Sequence, residues 1–61
     1  MFQTNKNSYQ ITAVCKNGEK EGRYTFIEGP DTDWGEIAKQ MFFDEFGVYP
    51  TEMRKESSIK L

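Results

Sequence analysis

Asn17-Gly18 stands between two runs that alternate apolar and polar residues, YQITAVCK before it and EKEGRYTFI after it. An Asn-Gly pair supplies both positive-φ positions of a type I′ turn, so this arrangement is the strongest short-range signal for a β-hairpin. With a two-residue Asn17-Gly18 turn, Lys16 faces Glu19, Cys15 faces Lys20, Ala13 faces Gly22, Ile11 faces Tyr24 and Tyr9 faces Phe26. One sheet face then collects Tyr9, Ile11, Ala13, Cys15, Tyr24 and Phe26. The other collects Gln10, Thr12, Val14, Lys16, Glu19, Glu21, Arg23 and Thr25, with Ile27 across from Ser8. A slip of one residue destroys this sorting. A longer loop over Asn17–Gly22 would alter the pairing near the tip.

A helix follows. Pro30 and the aspartates mark its start, and Asp33 is the N-cap candidate, because Glu36 then falls at N3 and completes a capping-box pattern. Carboxylates also suit the positive end of the helix dipole. Trp34, Ile37, Ala38, Met41, Phe42 and Phe46 recur with the spacing of one helical face. Gly47 is a natural C′ stop and Pro50 prevents resumption. In the last segment, TEMRKESSIKL, alternation sends Met53, Lys55, Ser57, Ile59 and Leu61 one way. Glu52, Arg54, Glu56, Ser58 and Lys60 go the other. It reads as a polar edge strand whose lysines deter stray pairing.

The expected fold is therefore α+β: a β-β-α-β two-layer sandwich with a three-stranded antiparallel sheet of order 2-1-3 and one helix on one face. The 61 residues form a single domain, 1–61, with residues 1–7 expected to fray. A chain of this length buries only about 60% of its unfolded surface. Domains of this size often add disulfides, a metal or a partner. One cysteine and no histidine exclude an internal disulfide and a Cys/His zinc site. Stabilisation by association is left, so the chain is read as a monomer that binds a partner or as a homodimer. Cys15, in the apolar pattern of the first strand, reads as an inert core thiol. No apolar run approaches the roughly 20 residues of a membrane span, and the start MFQTNKN lacks the apolar core of a signal peptide. The expected location is cytoplasmic, the host cytoplasm if the chain is phage-encoded.

Catalytic groupings are scarce. Without histidine the common general base and the usual triads are missing, and there is no phosphate-binding glycine loop. Asp31 and Asp33 lack the third acid and the spacing of a calcium loop, which favours capping over metal binding. The adjacent Asp44 and Glu45 point about 100° apart and cannot face one site from the helix alone. The chain is read as a non-enzyme with no catalytic, cofactor-binding or metal-binding residues.

What remains is surface. Residues 28–45 carry Glu28, Asp31, Asp33, Glu36, Asp44 and Glu45 against Lys39, a balance of −5. The rest carries Lys6, Lys16, Lys20, Arg23, Arg54, Lys55 and Lys60 against Glu19, Glu21, Glu52 and Glu56, a balance of +3. An acidic helix layer over a mildly basic sheet orients docking partners. Phe43 falls opposite the apolar stripe, among Glu36, Lys39 and Gln40, either as an interface anchor or tucked under the C-terminal segment. Trp34, the sole tryptophan, falls at the first helical position, on the rim of the sandwich. It is rim core or, ringed by acids, a rigid anchor of the residue type that dominates binding energies. The partner-binding candidates are thus Trp34, Asp31, Asp33, Glu36 and Phe43.

A hairpin, then an acidic turn, then a helix with a tryptophan near its start and a short final strand resembles the small host-takeover proteins of bacteriophages. The nearest likeness is to the Dmd antitoxin family of T-even phages. Trp34 with the preceding Asp31 and Asp33 carries over residue by residue. Gly35, the Phe42-Phe43 pair and Pro50 have no counterpart. The resemblance implies a non-enzymatic inhibitor of a host or cognate protein, an antitoxin that neutralises an RNase toxin by inserting the tryptophan region. Two other readings stay open at this level. One is a small nucleic-acid-binding module using Lys16, Arg23, Arg54 and Lys60 on the outer sheet face, against which the net charge of −2 argues. The other is an acidic mimic of nucleic-acid phosphates that blocks a host enzyme.

Overall fold

The computed structural model describes residues 8–61; the expectation that residues 1–7 fray lies outside them. The element order is β1 (Tyr9–Asn17), β2 (Lys20–Glu28), α1 (Trp34–Phe46) and β3 (Glu52–Lys60). The strands form one antiparallel sheet of order β2-β1-β3, the α+β topology expected from the sequence.

The hairpin turns one residue later than the Asn-Gly signal indicates. Asn17 is the last residue of β1 and pairs with Lys20, leaving Gly18 and Glu19 as the loop. Gly18 has φ 63°, and among the described residues no non-glycine residue has positive φ. That sign pattern belongs to a type II′ turn, which needs glycine only at its first central position. Asn17 is instead held by its side chain, whose Nδ2 donates to the Tyr49 carbonyl at 2.8 Å. Moving the turn by one residue moves every pairing partner by two: Ile11 faces Phe26, Ala13 faces Tyr24 and Cys15 faces Gly22. A shift of two preserves the faces, because side chains alternate with period two.

β3 departs further from simple alternation. Tyr9, Gln10, Ile11 and Thr12 pair with Lys60, Ile59, Ser58 and Ser57, but Ala13 pairs with Lys55, so Glu56 is the extra residue of a β-bulge. A bulge inserts one residue without a partner and reverses the side-chain parity beyond it. Met53, Lys55, Ser58 and Lys60 therefore share the face of Ala13 and Cys15, while Glu52, Arg54, Ser57 and Ile59 share the opposite one. The expected placement of Ile59 with Met53, and of Lys60 on the outer face, is corrected accordingly.

Ala13, Cys15, Ala38 and Phe42 form a fully buried cluster, with Tyr24, Phe26, Trp34 and Phe46 packed around it. Trp34, Ala38, Phe42 and Phe46 recur every four residues, the ridge that a helix presents to a sheet. Ile37 and Met41 are only partly buried, on the flank of that ridge. Phe42 and Phe46 add a tilted ring contact, with centroids 4.6 Å apart. The helix lies over β1 and β2 and scarcely touches β3, all nine residues of which are exposed. Gly47, φ 76°, ends the helix, its N–H donating to the Phe43 carbonyl at 2.8 Å. The next loop is pinned to the hairpin: the Thr51 N–H donates to the Lys16 carbonyl at 2.8 Å. Among the described residues no helix is long and apolar enough to cross a membrane.

Candidate functional site

The turn that delivers the helix start is built from short polar side chains. Thr32 Oγ1 accepts from the Gly29 N–H at 2.8 Å and donates to the Gly29 carbonyl at 3.1 Å, closing the loop around Pro30 and Asp31. Asp33, with φ −117° and ψ 119°, has the extended backbone of an N-cap, and its Oδ1 accepts from the Gly35 N–H at 3.0 Å. The expected capping box is not completed. Glu36 pairs with Lys39 Nζ at 3.2 Å instead, and a residue outside the helix contributes the second cap. Glu28 Oε2, at the end of β2, accepts from the Trp34 N–H at 2.8 Å. Two carboxylates thus satisfy two of the helix's free N–H groups, and one of them fastens the helix start to the sheet.

Trp34 is half-buried: its ring packs against the core cluster, and Lys55 Nζ lies 5.5 Å from its centroid. Across a ring face, an ammonium at that distance is a cation–π contact. Asp31, Asp33 and Glu36 are exposed around the same helix start. The structure therefore brings Trp34, Asp31, Asp33 and Glu36 together. It does not bring Phe43 to them, because nine residues of helix place it about 14 Å further along the axis at 1.5 Å per residue. Phe43 is partly buried, and it lies against the loop before β3 instead of under the C-terminal segment. Its ring stacks on Tyr49 with centroids 4.4 Å apart, and Lys39 Nζ sits 5.6 Å from the Tyr49 ring. The exposed aromatic at this end is Tyr49, half-exposed beside Val48.

Sequence reasoning missed three residues of this surface: Glu28, Lys55 and Tyr49. Glu28 and Tyr49 act through contacts that join distant elements, for which local periodicity holds no signal. Alternation does place Lys55 on the face of Met53, but it holds no sign that the ring beside it is that of Trp34.

The outer sheet face is charge-balanced. Arg23, Arg54 and Lys16 stand among Glu21, Glu52 and Glu56, and the bulge residue Glu56 bonds Arg23 at 3.0 Å and approaches Arg54 at 3.9 Å. Beneath them Val14 is buried, and a shallow depression is lined by Val14, Lys16, Glu52, Met53 and Arg54. Two titratable groups at the sandwich interior are shifted upward. Burial raises the Cys15 thiol above its ordinary pKa, and its Sγ points at the Ala38 carbonyl, 3.8 Å away. The Tyr24 hydroxyl is likewise pushed well up, first by burial and then by its hydrogen bond to Glu45. Among the described residues no group of three or more histidine, cysteine, aspartate or glutamate side chains could hold a metal ion.

Fold and site together define a small α+β module with an acid-collared, partly buried tryptophan at the sandwich rim. No protein-family model matches the chain, nor does any curated protein or solved structure.

Proposed function

We propose that this chain is a non-enzymatic inhibitor that binds a host or cognate protein through the Trp34 surface. The observation that carries this reading is the way Trp34 is held: partly buried with one edge left at the surface, and fixed by the Asp33 cap, by Glu28 on its backbone N–H and by the core beneath its ring. A preorganised aromatic loses little entropy on binding, and tryptophan at the centre of an interface carries much of its energy. Asp31, Asp33 and Glu36 give the anchor a negative collar suited to a basic partner surface. Enzymes that act on RNA have basic substrate sites, so an RNase toxin, the target class implied by the resemblance to the phage antitoxins, fits the collar.

The charge-balanced outer face favours a protein partner over a nucleic-acid one. Glu56 occupies both arginines that would contact phosphates, and Lys60 lies on the other side of the sheet. Co-expression with bacterial RNase toxins tests the proposal. Wild-type protein restores growth against its target, and Trp34→Ala and Asp31→Lys, each verified as folded, lose that rescue. Failure to rescue any toxin, together with failure to retain any host protein at physiological salt, overturns it.

A further inference from the structure

We propose that the helix-side face of β3, with Trp34 at its side, is a docking trough for an extended acidic segment of the partner protein; this rests on the inhibitor reading and specifies its partner's chemistry. A single helix cannot cover three strands, and α1 lies over β1 and β2. The uncovered strip is the side of β3 that carries Met53, Lys55, Ser58 and Lys60. Its charge is of one sign, and the bulge adds the second lysine to it. Glu52 lies on the other side, Glu56 is drawn to Arg23, and the parity reversal that turns Ile59 outward turns Lys60 inward. Neither Lys55 nor Lys60, like Lys16 and Lys20, has a carboxylate partner among the described residues.

The register of the two lysines along the strand defines what they fit. Lys55 and Lys60 stand opposite Ala13 and Tyr9, four residues apart on β1, or about 13 Å at 3.3 Å per residue. In an extended chain, residues i and i+4 point the same way at that same separation. Two acids four residues apart therefore meet both lysines at once. Met53, 40% exposed, lies opposite Cys15, two residues beyond Ala13, and its Cε reaches toward Gly35 at the helix start. An apolar side chain two residues outside the first acid would meet Met53. The partner is thus bipolar: basic against the collar of Asp31, Asp33 and Glu36, and acidic where it lies along β3.

The probe is the peptide Gly-Phe-Gly-Glu-Gly-Ser-Gly-Glu-Gly, with a twin in which lysine replaces glutamate and an oligothymidylate as a second control. Trp34 fluorescence and backbone amide shifts report binding to the intact chain. The glutamate peptide is expected to give a saturable change centred on residues 53–60 and Trp34, and the lysine peptide none. Lys55→Ala/Lys60→Ala, shown by thermal unfolding to be folded, should weaken that binding at least tenfold. Arg23→Ala/Arg54→Ala on the outer face should leave it within twofold. Equal binding of the lysine twin, shifts confined to the outer face, or an unaffected double lysine variant would each overturn the proposal. So would tighter binding of oligothymidylate at the same lysines, or a concentration-dependent doubling of mass in sedimentation that covers the trough with a second copy. If toxin rescue is lost in Trp34→Ala but survives in Lys55→Ala/Lys60→Ala, the trough proposal falls and the inhibitor reading stands. If peptide binding holds while no toxin is rescued, the reverse applies.

Discussion

Tyr24 lies along its own strand across Gly22 and donates its hydroxyl to Glu45 Oε1 at 2.6 Å, so one side chain ties β2 to the last turn of α1. A Cβ on Gly22 would overlap that hydroxyl and the ring edge. Gly22→Ala is therefore expected to displace the ring, break the Glu45 bond and cost about 1–3 kcal/mol, the range of overpacked cores. Urea unfolding measures it. In a Tyr24→Ala background the same change should cost much less, since the two residues share one contact; equal costs in both backgrounds would refute the overlap.

The same tyrosine gives the fold an alkaline sensitivity. Its folded-state pKa is raised above the ordinary 10.0, so the native state keeps the proton after the unfolded chain has lost it. The stability linked to Tyr24 is full below pH 10 and falls as the pH rises through the folded pKa. Tyr24→Phe removes this contribution. The stability gap between wild type and Tyr24→Phe, from unfolding curves at pH 8 and pH 11, should shift toward the variant at the higher pH; a constant gap would contradict the assignment.

At the hairpin tip, Gly18 with φ 63° carries the positive-φ requirement and Glu19 does not. Gly18→Ala should cost about 1–2 kcal/mol, the penalty of a Cβ in left-handed backbone. Asn17→Ala should cost about 0.5–1.5 kcal/mol through its lost bond to Tyr49. Glu19→Ala should be close to neutral. A large loss at Glu19, read by thermal unfolding, would restore the Asn17-Gly18 turn.

The helix start has two working carboxylates and one idle one. Asp33→Ala should cost about 0.5–2 kcal/mol as a lost cap. Glu28→Ala should also destabilise, because the Trp34 N–H loses its acceptor. Glu36→Ala removes only an exposed pair with Lys39 and should change stability by less than about 0.5 kcal/mol. Chemical denaturation of the three variants side by side ranks them, and a Glu36 effect equal to that of Asp33 would reinstate the capping box.

Trp34 has one side in the core and one at the surface. Trp34→Ala should cost about 2–3 kcal/mol, below the 3–5 of a fully buried large-to-small change, and leave a cooperatively folding chain. As the sole tryptophan it reports directly: acrylamide should quench its emission in the isolated protein, and partner binding should protect it. Emission already fully protected in the free monomer would place Trp34 in the core and end its candidacy as an anchor.

Much of this protein was legible in its sequence. The alternation through residues 9–15 and 22–28, the Asp33 cap, the four-residue ridge from Trp34 to Phe46 and the Gly47 stop are all local, set by backbone geometry within a turn or a few strand residues. That is why the face assignments of β1 and β2 survived an error of one residue in the turn: the pairing shifted by two, and a period of two absorbs the shift. In the candidate site, the sequence placed Trp34 among Asp31, Asp33 and Glu36 because all four lie within one helical turn and its entry. The rest required contacts between distant parts of the chain. A helix start near Glu28, a loop that stacks Tyr49 on Phe43, and the bulge that turns Lys60 toward the helix side all depend on how β3 pairs with β1 and where the helix settles. Strand alternation is set by each residue's own backbone, whereas a bulge is set by fitting two strands together, so only the folded sheet decided that Lys60 shares a face with Lys55.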